Sequence, residues 1–447
     1  MKKIIFAFSL IISISGSSQT IIKRDPSIDQ MVKEVSADSL KSYINTLVSF
    51  GTRSTLSTTT DASKGIGAAR DWAVSKFKQF GKNSGGRMNA FVDTVTLQAD
   101  GKRIDKAINL GNAMGILKGT DPNDKRIYVI SGHIDSRVTD VMNRTSDAPG
   151  ANDDGSGTAA VIECARILSK SNFPATIIFV ALSGEEQGLL GAKFMADKAR
   201  SQNWQIEAVL NNDIMGSNNS NETLIINNTK VRIFSEGLPA WELEKKVASI
   251  RGMGLENDGY SRQLARYTKE VGERYVDNLE VMLIYRNDRF LRGGDHTMFI
   301  EKGFPAIRIT EMNENFLHQH QDLRTENNVE YGDKPEFMDF EYLRKNTALN
   351  LATLSNLAKA PSMPQEVKID VKGLGNSSSM NWKQPANGKT AGYYILIRET
   401  TSPVWQKKIY TADTKITIPY SKDNYFFAVQ SVNEAGNESL AVLPSAR

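Results

Sequence analysis

Between residues 101 and 358, short apolar runs alternate with stretches of helical spacing, and this alternation constrains the fold more than any other feature of the chain. The run ATIIFVAL, residues 175–182, is apolar at nearly every position. Strands of this kind are expected when helices cover both faces of a parallel sheet. The sequence therefore predicts an α/β domain with a mostly parallel sheet flanked by helices. The predicted strands span residues 113–117, 127–131, 175–182, 208–212, 281–285 and 306–309.

Helical spacing of apolar residues predicts helices on both sides of these strands. The predicted helices span residues 36–50, 66–80, 158–168, 189–199 and 340–358. The segment APSMP that follows, residues 360–364, contains proline and small residues, which is typical of a linker. We therefore expect the α/β domain to occupy residues 19–359.

Beyond the linker, apolar residues recur with a period of two. Short strands separated by Gly, Asn and Ser turns, with Trp382 early and Tyr425 late, predict a small β-sandwich of about seven strands over residues 365–447. The segments GYYILIRETTSPVWQ and YFFAVQSVNEAGNES resemble parts of a fibronectin type III module. We expect such a module to contact a peptide, a glycan or a cell surface.

The first twenty residues, MKKIIFAFSLIISISGSSQT, carry Lys2 and Lys3, then an apolar run over residues 4–14, then small residues. This order is typical of a secretory signal peptide, which we assign to residues 1–18. The apolar run has about half of the roughly 20 residues that a membrane-spanning helix needs. We therefore expect a secreted or periplasmic protein without a membrane span.

The charge of the chain is nearly balanced, with 55 Lys and Arg against 51 Asp and Glu. The concentrated basic face of a nucleic-acid-binding protein is not evident, so nucleic acid is not an expected partner. The chain has one cysteine, Cys164, and four histidines, His133, His296, His318 and His320. A single cysteine excludes a disulfide within the chain and a zinc site built from several thiolates.

Imidazole and carboxylate side chains follow the predicted strands, where functional groups gather along one edge of a parallel sheet. These side chains, together with one just before the helix at 158–168, are His133, Asp135, Asp153, Glu185, Glu186, Asp213, His318 and His320. Imidazole with carboxylate suits a divalent metal ion in a hydrolytic site, and zinc is the expected ion. Glu185 and Glu186 are neighbours, so one can bind the metal ion while the other accepts a proton from the metal-bound water.

Five segments carry a resemblance to a known family. GHIDS, PGANDDGSGTAAV, SGEEQGLLGAKF, LNND and GGDHTMF, in that order, resemble the motifs of the M28 family of zinc aminopeptidases. The resemblance covers roughly residues 100–358 and implies the zinc exopeptidase fold. The best-studied members are secreted bacterial aminopeptidases of the leucyl type, so the resemblance also implies two Zn²⁺ ions per chain.

Carried over residue by residue, the resemblance implies a role for each side chain. His133 and Asp213 would bind different ions, and Asp153 would bridge the two. Glu186 would be a terminal ligand and Glu185 the general base.

The resemblance has two further implications around these residues. Asp135 would hold the ring of His133, as an acid commonly does for a metal-binding histidine. The family also carries a cis peptide bond after its bridging aspartate, which here is the bond between Asp153 and Asp154.

The fifth ligand is one of two histidines, because this chain reads HQHQDLRTENN where family members commonly read His-Thr-x-x-Asp-Thr. Counting four residues back from Asp322 selects His318. Aligning residues 324–327 with the family ending Asp-Thr-x-Glu-Asn selects His320 instead. We favour His320, because that register also keeps the following acidic segment in step.

Three residues near the GGDHTMF segment have less defined roles. His296 either lies near the substrate pocket or is a packed histidine at the start of a helix. Tyr285 and Arg289, which precede it, are candidates for substrate contact.

These observations predict a secreted two-zinc exopeptidase that removes N-terminal residues from peptides or proteins. A metal-activated water attacks the scissile carbonyl, and Glu185 accepts the proton and passes it to the leaving amine. The alternative is a metallocarboxypeptidase or a single-zinc glutaminyl cyclase of the same fold. A non-catalytic binding protein is less compatible with the sequence, because every candidate ligand is present.

Overall fold

The computed structural model describes residues 20–446, so the predicted signal peptide at residues 1–18 lies outside the described residues. Within this range, none of the helices is long and apolar enough to span a membrane. The α-helices are α1 (Pro26–Lys33), α2 (Ala37–Ser49), α3 (Gly65–Gly81), α4 (Gly155–Leu168), α5 (Leu190–Ser201), α6 (Ala240–Met253), α7 (Tyr260–Tyr275), α8 (Asp295–Glu301) and α9 (Phe340–Lys359).

Eight strands form one large sheet. They are β1 (Met88–Leu97), β2 (Ile108–Leu117), β3 (Arg126–His133), β4 (Thr176–Leu182), β5 (Gln205–Asn212), β6 (Lys230–Phe234), β7 (Glu280–Ile284) and β8 (Ala306–Glu311). Their order in the sheet is β1-β2-β4-β3-β5-β8-β6-β7. A separate hairpin contains β9 (Arg324–Glu326) and β10 (Val329–Tyr331).

The central strands of the sheet confirm the predicted α/β architecture, whereas the strands toward its two edges include antiparallel pairs. Strands β4, β3, β5 and β8 are parallel neighbours. However, β1 pairs antiparallel with β2, β2 with β4, and β6 with β8. Since β6 and β7 are also parallel, four of the seven neighbouring pairs in this sheet are parallel, and the sheet is mixed with a parallel majority.

Strands β1 and β6 and helix α7 lie where the apolar pattern predicts no element. The sequence of β1, MNAFVDTVTL, mixes polar and apolar residues because the strand lies at the edge of the sheet and is only partly buried. Strand β6 has five residues, two of them charged. Helix α7 buries Arg262, Gln263 and Arg266 together with apolar side chains such as Leu264 and Val271, so polar residues interrupt its apolar pattern.

Alternate residues of the central strands face opposite sides of the large sheet. Tyr128 and Ile130 of β3 belong to the larger core cluster, which includes side chains of α1, α2, α3, α4, α7 and α9. Val129 belongs to a second cluster with Met195 of α5 and Phe299 of α8. Both faces of the central strands are thus covered by helices, which is the physical reason for their continuous apolar runs.

The last part of the chain forms two small sheets. Their strands are β11 (Gln365–Ile369), β12 (Ser378–Lys383), β13 (Gly392–Glu399), β14 (Lys407–Thr411), β15 (Lys415–Ile418), β16 (Tyr425–Val432) and β17 (Ser445–Ala446). The strand orders are β15-β12-β11-β17 and β14-β13-β16. Trp382 of one sheet packs edge-on against Tyr393 of the other, with ring centroids 5.2 Å apart. The fibronectin type III resemblance and the domain boundaries stay predictions.

Buried charges connect these two sheets to helix α7. The carboxylate of Glu438, which follows β16, accepts a hydrogen bond from Arg274 Nη1 of α7 at 3.1 Å. The carboxylate of Asp258 accepts one from Arg266 of α7 and one from Arg398 of β13, each at 2.6 Å. Charge-assisted hydrogen bonds of this kind are roughly twice as strong as neutral ones.

Candidate metal centre

Neighbouring strands bring the five predicted ligands to one edge of the large sheet. His133 is the last residue of β3, Glu186 lies in the loop after β4, and Asp213 directly follows β5. Asp153 lies just before α4, and His320 lies in the loop between β8 and β9. Because β4, β3 and β5 are adjacent and parallel, their carboxyl ends meet at the same edge.

The five side chains form two groups of three that share Asp153. One group contains His133, Asp153 and Asp213, the other contains Asp153, Glu186 and His320, and the ligand atoms of each group lie within 4.8 Å of one another. Oδ1 of Asp153 lies 3.1 Å from Nε2 of His133, and Oδ2 lies 2.8 Å from Nε2 of His320. One carboxylate therefore presents an oxygen to each group, as a bridging ligand between two metal ions requires.

His133 and Asp213 belong to the same group, whereas the resemblance implies that they bind different ions. Nε2 of His133 lies 3.9 Å from Oδ1 of Asp213. The physical reason is the strand order: β3 pairs directly with β5, so the residues at their carboxyl ends are neighbours.

His320, and not His318, faces the ligand groups. Nε2 of His320 lies 2.9 Å from Oε1 of Glu186. The ring of His318 stacks on Phe337 instead, with centroids 3.8 Å apart and an interplanar angle of 6°. Gln319, between the two histidines, donates a hydrogen bond to Oδ2 of Asp153 at 3.1 Å. The geometry agrees with the choice of His320, and metal binding by this residue stays a prediction.

The donor atoms of the two groups fit divalent cations. Among the described residues, the buried atoms His133 Nε2 and Glu186 Oε1 have no hydrogen-bond partner, although other donor or acceptor atoms lie close to them. A buried polar atom without a partner is costly and rare. Imidazole nitrogens and carboxylate oxygens are the ligands that zinc takes in hydrolytic sites. The residues present therefore suit one cation in each group.

The acids around the two groups repel one another. Burial raises the pKa of the Glu185 carboxyl well above its usual range, since the positive charge of His133 only partly offsets it and the charges of Glu186 and Asp213 add to it. Burial also raises the pKa of Asp295 to about 8. A divalent cation is often the largest local charge in such a site and would offset this repulsion.

Glu185 lines the cleft at the metal centre, next to both groups, and is a member of neither. The cleft has a volume of about 300 Å³. The Glu185 carboxylate therefore stays free to exchange a proton with a molecule bound there. This placement is compatible with the predicted role of general base.

Asp135 lies beside His133, as expected, but its carboxylate mainly binds other residues. Nδ1 of His133 lies 3.1 Å from the backbone carbonyl oxygen of Asp135 and 3.5 Å from the carboxylate oxygen Oδ1. The carboxylate accepts hydrogen bonds from the backbone N–H groups of Glu185 at 3.3 Å and Glu186 at 3.2 Å, and from Oγ1 of Thr55 at 3.0 Å. Asp135 therefore orients His133 through its backbone and the two glutamates through its side chain.

The peptide bond between Asp153 and Asp154 is cis, as the resemblance implies. The carboxylate of Asp154 accepts hydrogen bonds from the backbone N–H groups of His133 at 2.9 Å and Gly157 at 2.8 Å. Asp154 thus connects the end of β3 to the start of α4, and with it the two segments that supply His133 and Asp153.

Two buried residues that no motif marks hold the loop of Asp153 in place. Arg53, fully buried, donates hydrogen bonds to the backbone carbonyls of Pro149 and Gly150 at 2.6 and 2.8 Å. The carboxylate of Asp333 accepts one from the backbone N–H of Asp153 at 2.7 Å. Both residues lie far from this loop in the sequence, so local spacing gives no signal for them.

Arg308 of β8 is a further residue that the sequence interpretation missed. It is fully buried, with Nη2 3.2 Å from Oδ2 of Asp213 and Nη1 donating to Oδ1 of Asp288 at 2.7 Å. One signal was available: a charged residue inside an otherwise apolar strand needs a buried partner.

The structure also places the three residues whose roles were open. His296 is buried at the start of α8, with Nε2 2.6 Å from the carbonyl oxygen of Asn287, and is not among the cleft residues. The hydroxyl of Tyr285 donates to the carbonyl of Pro403 in the C-terminal part. Arg289 lines the cleft. His296 is thus a packed histidine, and of the other two only Arg289 is placed to contact a substrate.

A family model described as peptidase family M28 matches residues 112–332. The matched segment contains the five residues of the two ligand groups and Glu185. This range lies within the segment for which the sequence motifs predicted the family.

Relatives match over most of the chain. A protein of Leptosphaeria maculans named "Probable zinc metalloprotease" is 45% identical over 418 residues, which cover 93% of this chain and 96% of that protein. A protein of the same name from Pyrenophora tritici-repentis is 43% identical over 423 residues, covering 94% and 87%. Both relatives are fungal.

Among solved structures, the Legionella pneumophila LapA aminopeptidase has a similar fold. Its TM-score is 0.54 at 19% identity, and the match covers 77% of this chain and 78% of that chain. The likeness supports the arrangement of sheet and helices described above. Together with the family model and the relatives that match almost the whole chain, it leads to one conclusion: this chain belongs to peptidase family M28.

Proposed function

We propose that this protein is an exported zinc-dependent metallo-aminopeptidase that holds two Zn²⁺ ions and removes N-terminal residues from peptides. The single observation that carries the two-ion part is the sharing of Asp153 by two groups of ligand atoms. Family membership and the name of the fungal relatives support the metallopeptidase part. The aminopeptidase part rests on the resemblance of the sequence motifs.

In this proposal, each ligand group holds one ion. His133 and Asp213 would hold one Zn²⁺, Glu186 and His320 would hold the other, and Asp153 would contact both. Bound there, zinc lowers the pKa of water and polarises a carbonyl oxygen.

Glu185 supplies the acid–base chemistry in this proposal. Its carboxylate accepts the proton of the attacking water and then donates that proton to the amine of the leaving peptide. Asp135 fixes the backbone of Glu185 and Glu186 through two hydrogen bonds, so the base and a metal ligand are held by the same carboxylate. Thr55 contacts the same carboxylate and completes its support.

The number of ligand groups bears on the alternative of a cyclase. A single-zinc glutaminyl cyclase would need one ligand group, whereas this chain presents two.

The test combines metal content with substrate hydrolysis. Protein prepared with zinc is expected to contain about two ions per chain by elemental analysis and to hydrolyse aminoacyl reporter amides, with loss of activity in chelator and recovery when zinc is added. Peptides with a blocked N-terminus and a free C-terminus provide the control.

Two other outcomes would favour a different enzyme. Cleavage of only the N-blocked peptides would favour a carboxypeptidase. One zinc ion with ring closure of N-terminal glutamine would favour a cyclase. Export is tested separately by the N-terminal sequence of the mature protein, which is expected to lack residues 1–18.

A further inference from the structure

We infer that the cleft at the metal centre selects peptides that carry a carboxylate next to the scissile bond. This inference rests on the proposed function and names its substrate class. The cleft is lined by four arginines, Arg103, Arg137, Arg289 and Arg292, in addition to the residues of the metal centre.

Two of these arginines are held by backbone carbonyls. Nη1 of Arg103 donates to the carbonyl of Glu186 at 2.6 Å. Nε and Nη2 of Arg137 donate to the carbonyls of Val138 and Thr139 at 3.0 and 2.6 Å. The carboxylate that lies nearest to Arg137 is that of Glu186, 3.9 Å away, and it belongs to the metal centre. Backbone carbonyls position a guanidinium without neutralising its charge.

The other two arginines come from the loop between β7 and α8. Arg289 is paired with Glu314, with Nη1 2.8 Å from Oε2. Arg292 is exposed and makes no ion pair with any residue whose side chain the structure describes, namely residues 20–239 and 247–446. Arg103, Arg137 and Arg292 are therefore available to an incoming carboxylate.

The charge balance of the cleft also favours binding of a carboxylate. The acids that line it are Asp153, Glu185, Glu186 and Asp213. Two divalent cations would offset the charges of these four carboxylates. The arginines then dominate the electrostatic potential of the cleft, which attracts and orients anions.

The cleft offers little to an apolar side chain. Leu189 is the one aliphatic side chain among the cleft residues in the described part of the chain. A substrate leucine would therefore gain little from burial of apolar surface there. Guanidinium groups, in contrast, bind carboxylates through paired, charge-assisted hydrogen bonds. The leucyl-type preference of the best-studied family members is therefore not expected here.

The carboxylate has three sources in a short peptide: the side chain of the N-terminal residue, the side chain of the second residue, and a free C-terminus. Three matched pairs separate them. The pairs are glutamyl against glutaminyl reporter amide, Leu-Glu-amide against Leu-Gln-amide, and Leu-Ala against Leu-Ala-amide. In at least one pair, kcat/KM of the zinc-loaded full-length protein is expected to be about tenfold higher for the member with the additional carboxylate.

The source of the selectivity is tested with charge variants, because a substrate carboxylate can also bind a metal ion. Arg292→Ala is expected to reduce the selectivity ratio, and Arg292→Glu to abolish or reverse it. Arg200→Ala, an exposed position at the end of α5 and outside the cleft, is the control and keeps the wild-type ratio. The ratio is also expected to fall as the salt concentration rises.

A readout that does not depend on turnover completes the test. Titration calorimetry on the Glu185→Gln variant is expected to show tighter binding of the carboxylate member of the preferred pair. Equal kcat/KM within all three pairs, with hydrolysis of the neutral members, would overturn this inference and leave the proposed function intact. Failure to hydrolyse any of the six substrates would overturn both.

Discussion

Nη2 of Arg308 lies 3.2 Å from Oδ2 of Asp213, so a fully buried guanidinium contacts a residue of the metal centre. The other oxygen of that carboxylate, Oδ1, lies 3.9 Å from Nε2 of His133. Asp213 therefore has one oxygen near the ligand group and one near a permanent cation. Arg308 is held in turn by Asp288, whose pKa stays below its usual value because Arg308 and other nearby positive charges outweigh the effect of burial.

Replacing Arg308 by methionine is expected to destabilise the protein strongly, because Asp213 and Asp288 would lose their buried cation. The expected loss is about 3–5 kcal/mol of the free energy of unfolding. Urea denaturation measures it. Arg344→Met is the control: it breaks an exposed pair with Glu341 and is expected to cost less than about 1 kcal/mol. Equal losses in the two variants would contradict the assigned role of Arg308.

Glu185→Gln is expected to lower kcat by about 10²–10⁴-fold, because the amide cannot accept a proton. The zinc content is expected to stay at the wild-type value, since Glu185 belongs to neither ligand group. Glu222→Gln, an exposed position, serves as the control for the substitution itself. Wild-type turnover in Glu185→Gln would show that another group acts as the base.

His320→Gln and His318→Gln form a matched pair of variants. Only His320 lies near Asp153 and Glu186, whereas His318 stacks on Phe337. Elemental analysis is therefore expected to show about one zinc ion fewer in His320→Gln and an unchanged content in His318→Gln. The reverse pattern would assign the ligand to His318.

Asp153→Ala is expected to weaken binding of both ions, because its two oxygens face different groups. Asp213→Ala removes a ligand from one group only and is expected to weaken one ion. Zinc titration of the chelator-treated proteins measures both effects. A full complement of tightly bound zinc in Asp153→Ala would exclude the bridging role.

Glu438 is expected to make the stability depend on pH. Although burial opposes ionisation, Arg274 and Lys408 lower its pKa from 4.5 to about 2. Because the folded pKa is below the unfolded value, the contribution is complete above about pH 4.5 and disappears as the pH falls toward 2. A shift of this size corresponds to about 3 kcal/mol.

The difference in unfolding free energy between the wild type and Glu438→Gln measures this contribution. It is expected to be large at pH 6 and clearly smaller at pH 3. Glu434→Gln, which affects an exposed pair with Lys389, is expected to show no such change. A difference that does not vary with pH would disprove the assignment.

The sequence predicted the elements that carry long apolar patterns and missed those defined by distant contacts. The apolar runs of β3, β4 and β5 located the edge where the ligands meet, because residues at the ends of neighbouring parallel strands are close in space. Helix α7 was missed because Arg262 and Arg266 interrupt its apolar pattern, and Arg266 donates hydrogen bonds to Tyr285 and Pro403, which lie farther along the chain.

The same distinction applies to the candidate site. The motifs located His133, Asp153 and the other ligands, but they could not group them, because the order of strands in the sheet is not written in local spacing. The expectation that His133 and Asp213 bind different ions rests on the family resemblance, whereas the pairing of β3 with β5 places the two residues side by side. The supporting roles of Arg53 and Arg308 depend on contacts with residues distant in sequence, which no local pattern shows.

The contact between Tyr285 and Pro403 connects the C-terminal sheets to a loop that lines the cleft at the metal centre. Tyr285 begins the loop that carries Arg289 and Arg292, and Arg266 donates to both the Tyr285 hydroxyl and the Pro403 carbonyl. The start of this loop is therefore hydrogen-bonded to a segment more than a hundred residues later in the chain. The segment that the sequence presents as an appended module behind a proline-containing linker therefore supports one wall of the cleft at the metal centre.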